Sequence, residues 1–185
     1  LDGDGAADLA LAARELEAAD HIVQHLLARA RAMSLAGAAG SRTEVLAVAQ
    51  EIAAALRRLQ AESGIGITVE GSAALTVRCE RQDLAEMIGN LTENACKWAR
   101  RRVGLRIEPA GVGEVAVTVS DDGPGLPADQ LAEAQARGAR FDEAKPGSGL
   151  GLAIVADLAR LYDGGLALER APEGGLLARL TLPAG

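Results

Sequence analysis

"GNLTENACKWA", Gly89 to Ala99, is the stretch on which the fold of this chain turns. Asparagine is a poor helix former because its amide competes for backbone hydrogen bonds, yet Asn90 and Asn94 stand four apart in an otherwise helical run. On a helical projection Leu84, Ile88, Leu91, Ala95 and Trp98 form one stripe, while Asp83, Asn90, Asn94 and Lys97 form a second roughly 100° around from it. The second stripe flanks the apolar one, where a cleft wall would lie. Two carboxamide oxygens and an ammonium suit a ligand that combines a hard cation with phosphates. Asparagines in an exposed helix turn would show the same spacing, so the stretch needs support from its surroundings.

Working outward, a helix is expected at about 43–61, and after Glu62-Ser63-Gly64 the apolar period changes to two. Ile65, Ile67 and Val69 alternate, then Leu75 and Val77; Val103, Leu105 and Ile107; Val115, Val117 and Val119; Leu166 and Leu168; and Leu176, Leu180 and Leu182. Six such segments predict a sheet with one buried and one wetter face. Helices at about 43–61, 81–99 and 149–163 must cover the buried face. The expected fold is α+β, a two-layer α/β sandwich over residues 41–185.

Residues 1–40 read differently. Leu9, Ala12, Leu16, Ala19, Val23, Leu26, Ala30 and Met33 keep a 3-4 alternation, which predicts a long helix packed against other helices. "LAGAAGS", Leu35 to Ser41, then breaks the pattern as a linker. His21 and His25 fall on outer positions of this heptad and are read as solvated; they are four apart, but no third zinc ligand is evident.

Two further stretches carry chemistry. In "VTVSDDGPGLP", Val117 to Pro127, an alternating strand runs into Asp121-Asp122, and Gly123 and Gly125 permit backbone angles and close approaches that a Cβ forbids. A carboxylate fixed at a strand end can accept a hydrogen bond from an exocyclic amine, with a flat ring sliding between the glycines; a tight turn would use the same residues. In "PGSGLGLAIV", Pro146 to Val155, Gly147, Gly149 and Gly151 open an apolar helix, and unobstructed N–H groups at a helix start bind anions. Arg137, Gly138, Arg140 and Lys145 precede them, a basic stretch able to fold down over phosphates.

Composition narrows the function. A net charge of -7 disfavours binding to nucleic acid, whose partners usually carry a basic face. The Arg100-Arg101-Arg102 run is read as cations at a helix C-terminus, where the dipole favours them. Cys79 and Cys96 show no CxxC spacing, so a reduced, cytosolic compartment is expected. No apolar run reaches the ~18 residues of a membrane helix. A start at Leu1 without Met suggests a piece of something longer.

Taken in order, N-x-x-x-N-x-x-K on a helix, D-x-G-x-G after a strand, and a basic loop ending in G-x-G-x-G before a helix resemble the ATP-binding domain of bacterial sensor histidine kinases. The resemblance covers about residues 43–185, and "IVQHLLARARA" looks like the second helix of the family's dimerization and phosphoacceptor hairpin. It implies ATP and Mg²⁺ as ligands, with Asn94 on the metal, Asn90 beside it, and Lys97 on the phosphates. Trp98 falls where the family often has an aromatic residue lining the nucleotide pocket. Asp121 would accept from the adenine amine, Gly123 and Gly125 would shape the adenine pocket, and Gly147, Ser148, Gly149, Leu150 and Gly151 would cradle the phosphates. Arg140 and Lys145 would add phosphate contacts. It also implies a homodimer through the hairpin, a response regulator as partner, and a cytoplasmic domain of a bacterial inner-membrane protein.

The family's alternatives and departures are also visible. Gyrase-type ATPases and anti-sigma-factor serine kinases carry a Glu four before the metal-binding Asn to activate water or a hydroxyl. Here that position is Asn90, and an amide is no general base near neutral pH. Glu93 lies on another side of the helix. A degenerate docking module is disfavoured by the intact glycine motifs. Neither His21 nor His25 has the family's acidic neighbour and following Pro, so the acceptor histidine is expected on a helix before Leu1, and this chain alone is not expected to phosphorylate itself. The lid is short, of the magnesium-sensor-kinase kind, which would place the usual Phe nearer Gln135 than Phe141.

Overall fold

Val103, Leu105 and Ile107 on one strand and Val115, Val117 and Val119 on the next are all buried, at the period of two that sends alternate side chains to one face. They form the centre of the computed structural model, which describes residues 41–127, 130–131 and 150–185. The helix expected from Leu9 to Met33, with His21 and His25, lies outside the described residues. In chain order the elements are β1 (Arg42–Glu44), α1 (Val45–Leu59), β2 (Gly66–Gly71), β3 (Thr76–Arg78), α2 (Arg81–Trp98), β4 (Arg102–Pro109), β5 (Glu114–Asp121), α3 (Leu150–Leu161), β6 (Gly165–Arg170) and β7 (Leu176–Pro183).

A five-stranded sheet runs β2-β4-β5-β7-β6. β2 lies parallel to β4, with Ile67 opposite Val103, and the other neighbours are antiparallel. α2 packs against α1 on one side, α3 on the other, and β5 beneath. This is the two-layer sandwich that the alternation predicts. Its core is aliphatic: Leu84, Met87, Ile88 and Leu91 of α2 are almost wholly buried against Leu105, Leu180 and Leu182. Each contributes about 1.5–3 kcal/mol by leaving water.

Three features depart from the sequence expectation. The helix expected at 43 begins at Val45, because Arg42–Glu44 instead pairs antiparallel with Thr76–Arg78. The buried Thr43 hydroxyl fixes this ribbon by donating to the Cys79 carbonyl at 2.6 Å. Val77 therefore belongs to a separate two-stranded ribbon and not to the main sheet, with Leu75 just before its second strand. The outer face is also drier than expected on its central strand. Ala116 and Thr118 of β5 are buried there, spanned by the Arg179–Glu108 ion pair (3.3 Å) between the flanking strands β7 and β4.

Candidate functional site

β5 delivers Asp121 to the end of the sheet, where it is 4% exposed. Its Oδ1 accepts the Gly123 N–H at 2.8 Å and its Oδ2 accepts the Leu176 N–H at 3.3 Å. Burial pushes its carboxyl above the usual range, and the two amides pull it partly back. Each carboxylate oxygen accepts more than one donor, so the group retains capacity toward a ligand amine.

The glycines around it are required by contact. A Cβ on Gly123 would lie 2.3 Å from the Trp98 carbonyl oxygen and 2.7 Å from Asp121 Oδ1. Gly125 has φ +71°, and its Cβ would meet the Gly174 and Gly175 carbonyls at 2.9 and 3.0 Å. Gly175, which sequence reasoning missed, is tighter still: its Cβ would fall 2.0 Å from the Asp121 carbonyl oxygen. The paired glycines before the β7 run were the available signal, but nothing local says that they pack on a residue 54 positions away.

The amide face of α2 stands nearby. Asn90 and Asn94 are half-buried and Lys97 is exposed, as expected of side chains flanking the core stripe. Asn90 Nδ2 donates to the Glu86 carbonyl at 2.9 Å. A Cβ on Gly151 would sit 2.9 Å from Asn90 Oδ1, so the start of α3 abuts the first amide of the motif. The fold thus joins Asn90 to Gly151 across 61 residues of chain. Arg140, Lys145, Gly147, Ser148 and Gly149, with Arg137, Gly138 and Phe141, lie outside the described residues, as does the side chain of Leu150.

Two members of the projected stripes change places. Trp98, expected on the apolar side, is the last residue of α2 and is 44% exposed; the Lys97 ammonium lies 5.6 Å from its ring centroid. Asp83, expected with the amides, is 2% exposed in the first turn of α2, where the dipole favours a carboxylate, and it accepts a hydrogen bond from the Tyr162 hydroxyl. Burial and this carboxylate push the Tyr162 phenol upward, and burial does the same to the neighbouring Cys79 thiol. Cys79 and Cys96 are both buried free thiols.

The arginine run also acts in an unexpected way. The backbone N–H groups of Arg100, Arg101 and Arg102 converge on Asp122 Oδ1 at 2.8, 3.0 and 3.1 Å. Among the described residues no cluster of three or more His, Cys, Asp or Glu could hold a metal, and no helix is long and apolar enough to cross a membrane.

A carboxylate and two glycines at a strand exit, facing an amide-bearing helix whose neighbour opens on glycine, coincide with a family model described as histidine kinase-, DNA gyrase B- and HSP90-like ATPase, which matches residues 79–185. The chain belongs to that ATPase family. Within it, the sensor protein kinase CarS of Pseudomonas aeruginosa is 42% identical over 137 residues, covering 73% of this chain and 31% of CarS. The two-component sensor PhoQ of the same organism is 36% identical over 141 residues, covering 75% of this chain and 31% of PhoQ. The chain therefore spans about a third of each relative's length. Among solved structures, the mycobacterial sensor histidine kinase MprB superposes with a TM-score of 0.67 at 27% identity, over 78% of this chain and 97% of that one. The sandwich is the ATP-binding catalytic fold of sensor histidine kinases.

Proposed function

We propose that this domain binds Mg-ATP and transfers the γ-phosphate to a histidine on a dimerization hairpin, for relay to a response regulator. The observation that carries the reading is Asp121: a buried carboxylate at the exit of β5, held by two amides and hemmed by Gly123, Gly125 and Gly175, which pack on backbone where a Cβ would not fit. Asp121 would receive the adenine amine there. Membership of the family and the likeness to CarS and PhoQ support the reading.

The residues present fit both ligands. Asn90 Oδ1 packs against the backbone at the start of α3, which sets the amide beside a helix N-terminus whose N–H groups suit phosphate oxygens. We assign Asn94 as the protein's ligand to Mg²⁺, with Asn90 beside it, Lys97 on the phosphates, and Trp98 at the rim of the base. Mg²⁺ commonly takes few protein ligands and completes its shell with water and phosphate, so a site built on one amide suits it. When bound, it supplies charge neutralisation on the phosphates.

Phosphoryl transfer is mostly positioning and electrostatics. Asp121 and the glycines hold the base, and Lys97 with the N–H groups at the start of α3 hold the phosphates. An imidazole nitrogen of the acceptor forms the new P–N bond as the bond to the ADP oxygen breaks. Asn90 stands where the related ATPases carry a Glu, and an amide at that position is no general base for water. We place the acceptor on a histidine other than His21 and His25, and the dimer interface on the hairpin that residues 1–40 would help to build. The test is to supply that hairpin as a separate polypeptide with this domain and γ-labelled ATP. Acid-labile, alkali-stable label on the hairpin is the expected result. Release of inorganic phosphate with no labelled protein would overturn the proposal.

A further inference from the structure

Asp121 and Asp122 are adjacent, but only Asp121 has a part in the reading above. Asp122 turns the other way. Its Oδ1 gathers three consecutive N–H groups, those of Arg100, Arg101 and Arg102, and its own N–H donates to the Arg102 carbonyl at 3.3 Å. The exit of β5 is therefore pinned to the exit of α2 in both directions. The pinned segment begins two residues after Trp98, whose carbonyl oxygen is the atom that a Cβ on Gly123 would strike at 2.3 Å. Within the same segment, the Arg101 carbonyl accepts the Gly66 N–H at 2.7 Å, which ties in β2.

A third segment joins through Arg102. Its guanidinium lies 3.8 Å from Asp122 Oδ2 and 2.9 Å from Glu173, in the turn whose Gly175 packs directly on Asp121. Arg102 and Glu173 are both largely exposed, so that ion pair adds little by itself. The three-amide nest is different: charge-assisted bonds from a rigid backbone are the stronger kind, and they hold this carboxyl below its usual range. Three strands of chain that surround Asp121 are thus tied together by the residue beside it.

We infer that Asp122 is a positioning residue for adenine selectivity, fixing the backbone at Trp98 and Gly123 so that Asp121 faces the base amine. The inference rests on the ATP reading above. Its sense follows from the chemistry of the bases: adenine offers an amine at the position where guanine offers a carbonyl, which a carboxylate repels. If the nest loosens, Asp121 and the glycine floor lose their common register, and discrimination between the two bases falls while the phosphate end keeps its grip.

The experiment compares Mg-ATP, Mg-GTP and magnesium tripolyphosphate binding by calorimetry for the parent, Asp122→Ala and Asp122→Asn. The alanine variant is expected to lose about tenfold in the ATP-to-GTP ratio, the size of one or two charge-assisted hydrogen bonds. Its tripolyphosphate affinity should stay at the parent value. The asparagine variant keeps a carbonyl acceptor for the same amides and should lose about threefold, since a neutral acceptor is the weaker one. If the alanine variant does not fold, the asparagine variant carries the test. Unchanged selectivity in a folded variant, or equal loss for all three ligands, would overturn the inference. Failure of the parent to bind ATP at all would instead defeat the functional reading on which it rests.

Discussion

The two sides of the site are built by opposite means. At the exit of β5, backbone contacts fix everything: Asp121 is held by two amides, and Gly123, Gly125 and Gly175 sit where a single Cβ would meet main-chain oxygen. On α2, the functional groups are half-buried or exposed side chains standing beside the core stripe. One side is set by folding and the other is presented on a finished scaffold. Changes at the strand exit should therefore cost stability as well as binding, and changes on α2 should cost binding alone.

The largest effect should come from Gly175→Ala, whose Cβ would lie 2.0 Å from the Asp121 carbonyl. Overpacking against backbone should destabilise the domain on the order of 3 kcal/mol, read by urea unfolding. A tolerated alanine there would break the contrast. Tyr162→Phe, at the far end of α2, sharpens it. Loss of the hydrogen bond to buried Asp83 should cost about 2 kcal/mol in the same assay, with ATP affinity of the folded protein unchanged.

The pH dependence of unfolding separates the two neighbouring aspartates. The Asp122 carboxyl is lowered by its amides, so its stabilisation is complete above the ordinary carboxylate range and is lost as pH falls through the folded value. Burial raises Asp121, so its charge begins to cost stability as pH rises from the ordinary range through the raised value. Asp122→Asn should therefore remove part of the acid-side loss of stability. Asp121→Asn should remove part of the decline as pH rises above the ordinary carboxylate range. The reverse pattern would mean that the two environments are exchanged.

The smallest effect on stability belongs to α2. Asn94→Ala should shift unfolding by less than about 0.5 kcal/mol, as expected of a side chain outside the core. Asn90→Glu, whose longer side chain must be accommodated beside Gly151, introduces a base and should raise ATP hydrolysis by the folded protein measurably above the parent. No gain would show that the loss of that carboxylate is not what shields ATP from water.

Legibility in the sequence divides along the same line. The alternation of Val103, Leu105 and Ile107 with Val115, Val117 and Val119 announced the sheet, and the stripe through Leu84, Ile88 and Leu91 announced α2, because periodic burial is a local pattern. Asn90, Asn94, Asp121 and the two glycine motifs were visible as spaced residue types. What stayed hidden depends on chain brought from far away. Thr43 gave no sign of pairing beside Val77, Asp83 none of meeting Tyr162, and Gly175 none of packing on Asp121. Helical projection placed Trp98 with the core stripe, but a projection carries no information on how far the core extends, and the last residue of α2 is 44% exposed. The arginine run was read for its charges, whereas three of its amides do the holding.

The central claim is that Asn94 and Asp121 belong to one nucleotide site, the first through the metal and the second through the base. Calorimetric titration of a non-hydrolysable ATP analogue, with and without Mg²⁺, tests it directly. The parent should bind with an affinity that Mg²⁺ increases, Asn94→Ala should lose the Mg²⁺-dependent gain, and Asp121→Ala should lose binding under both conditions. Two folded variants that bind the analogue as tightly as the parent, with the same response to Mg²⁺, would contradict the account.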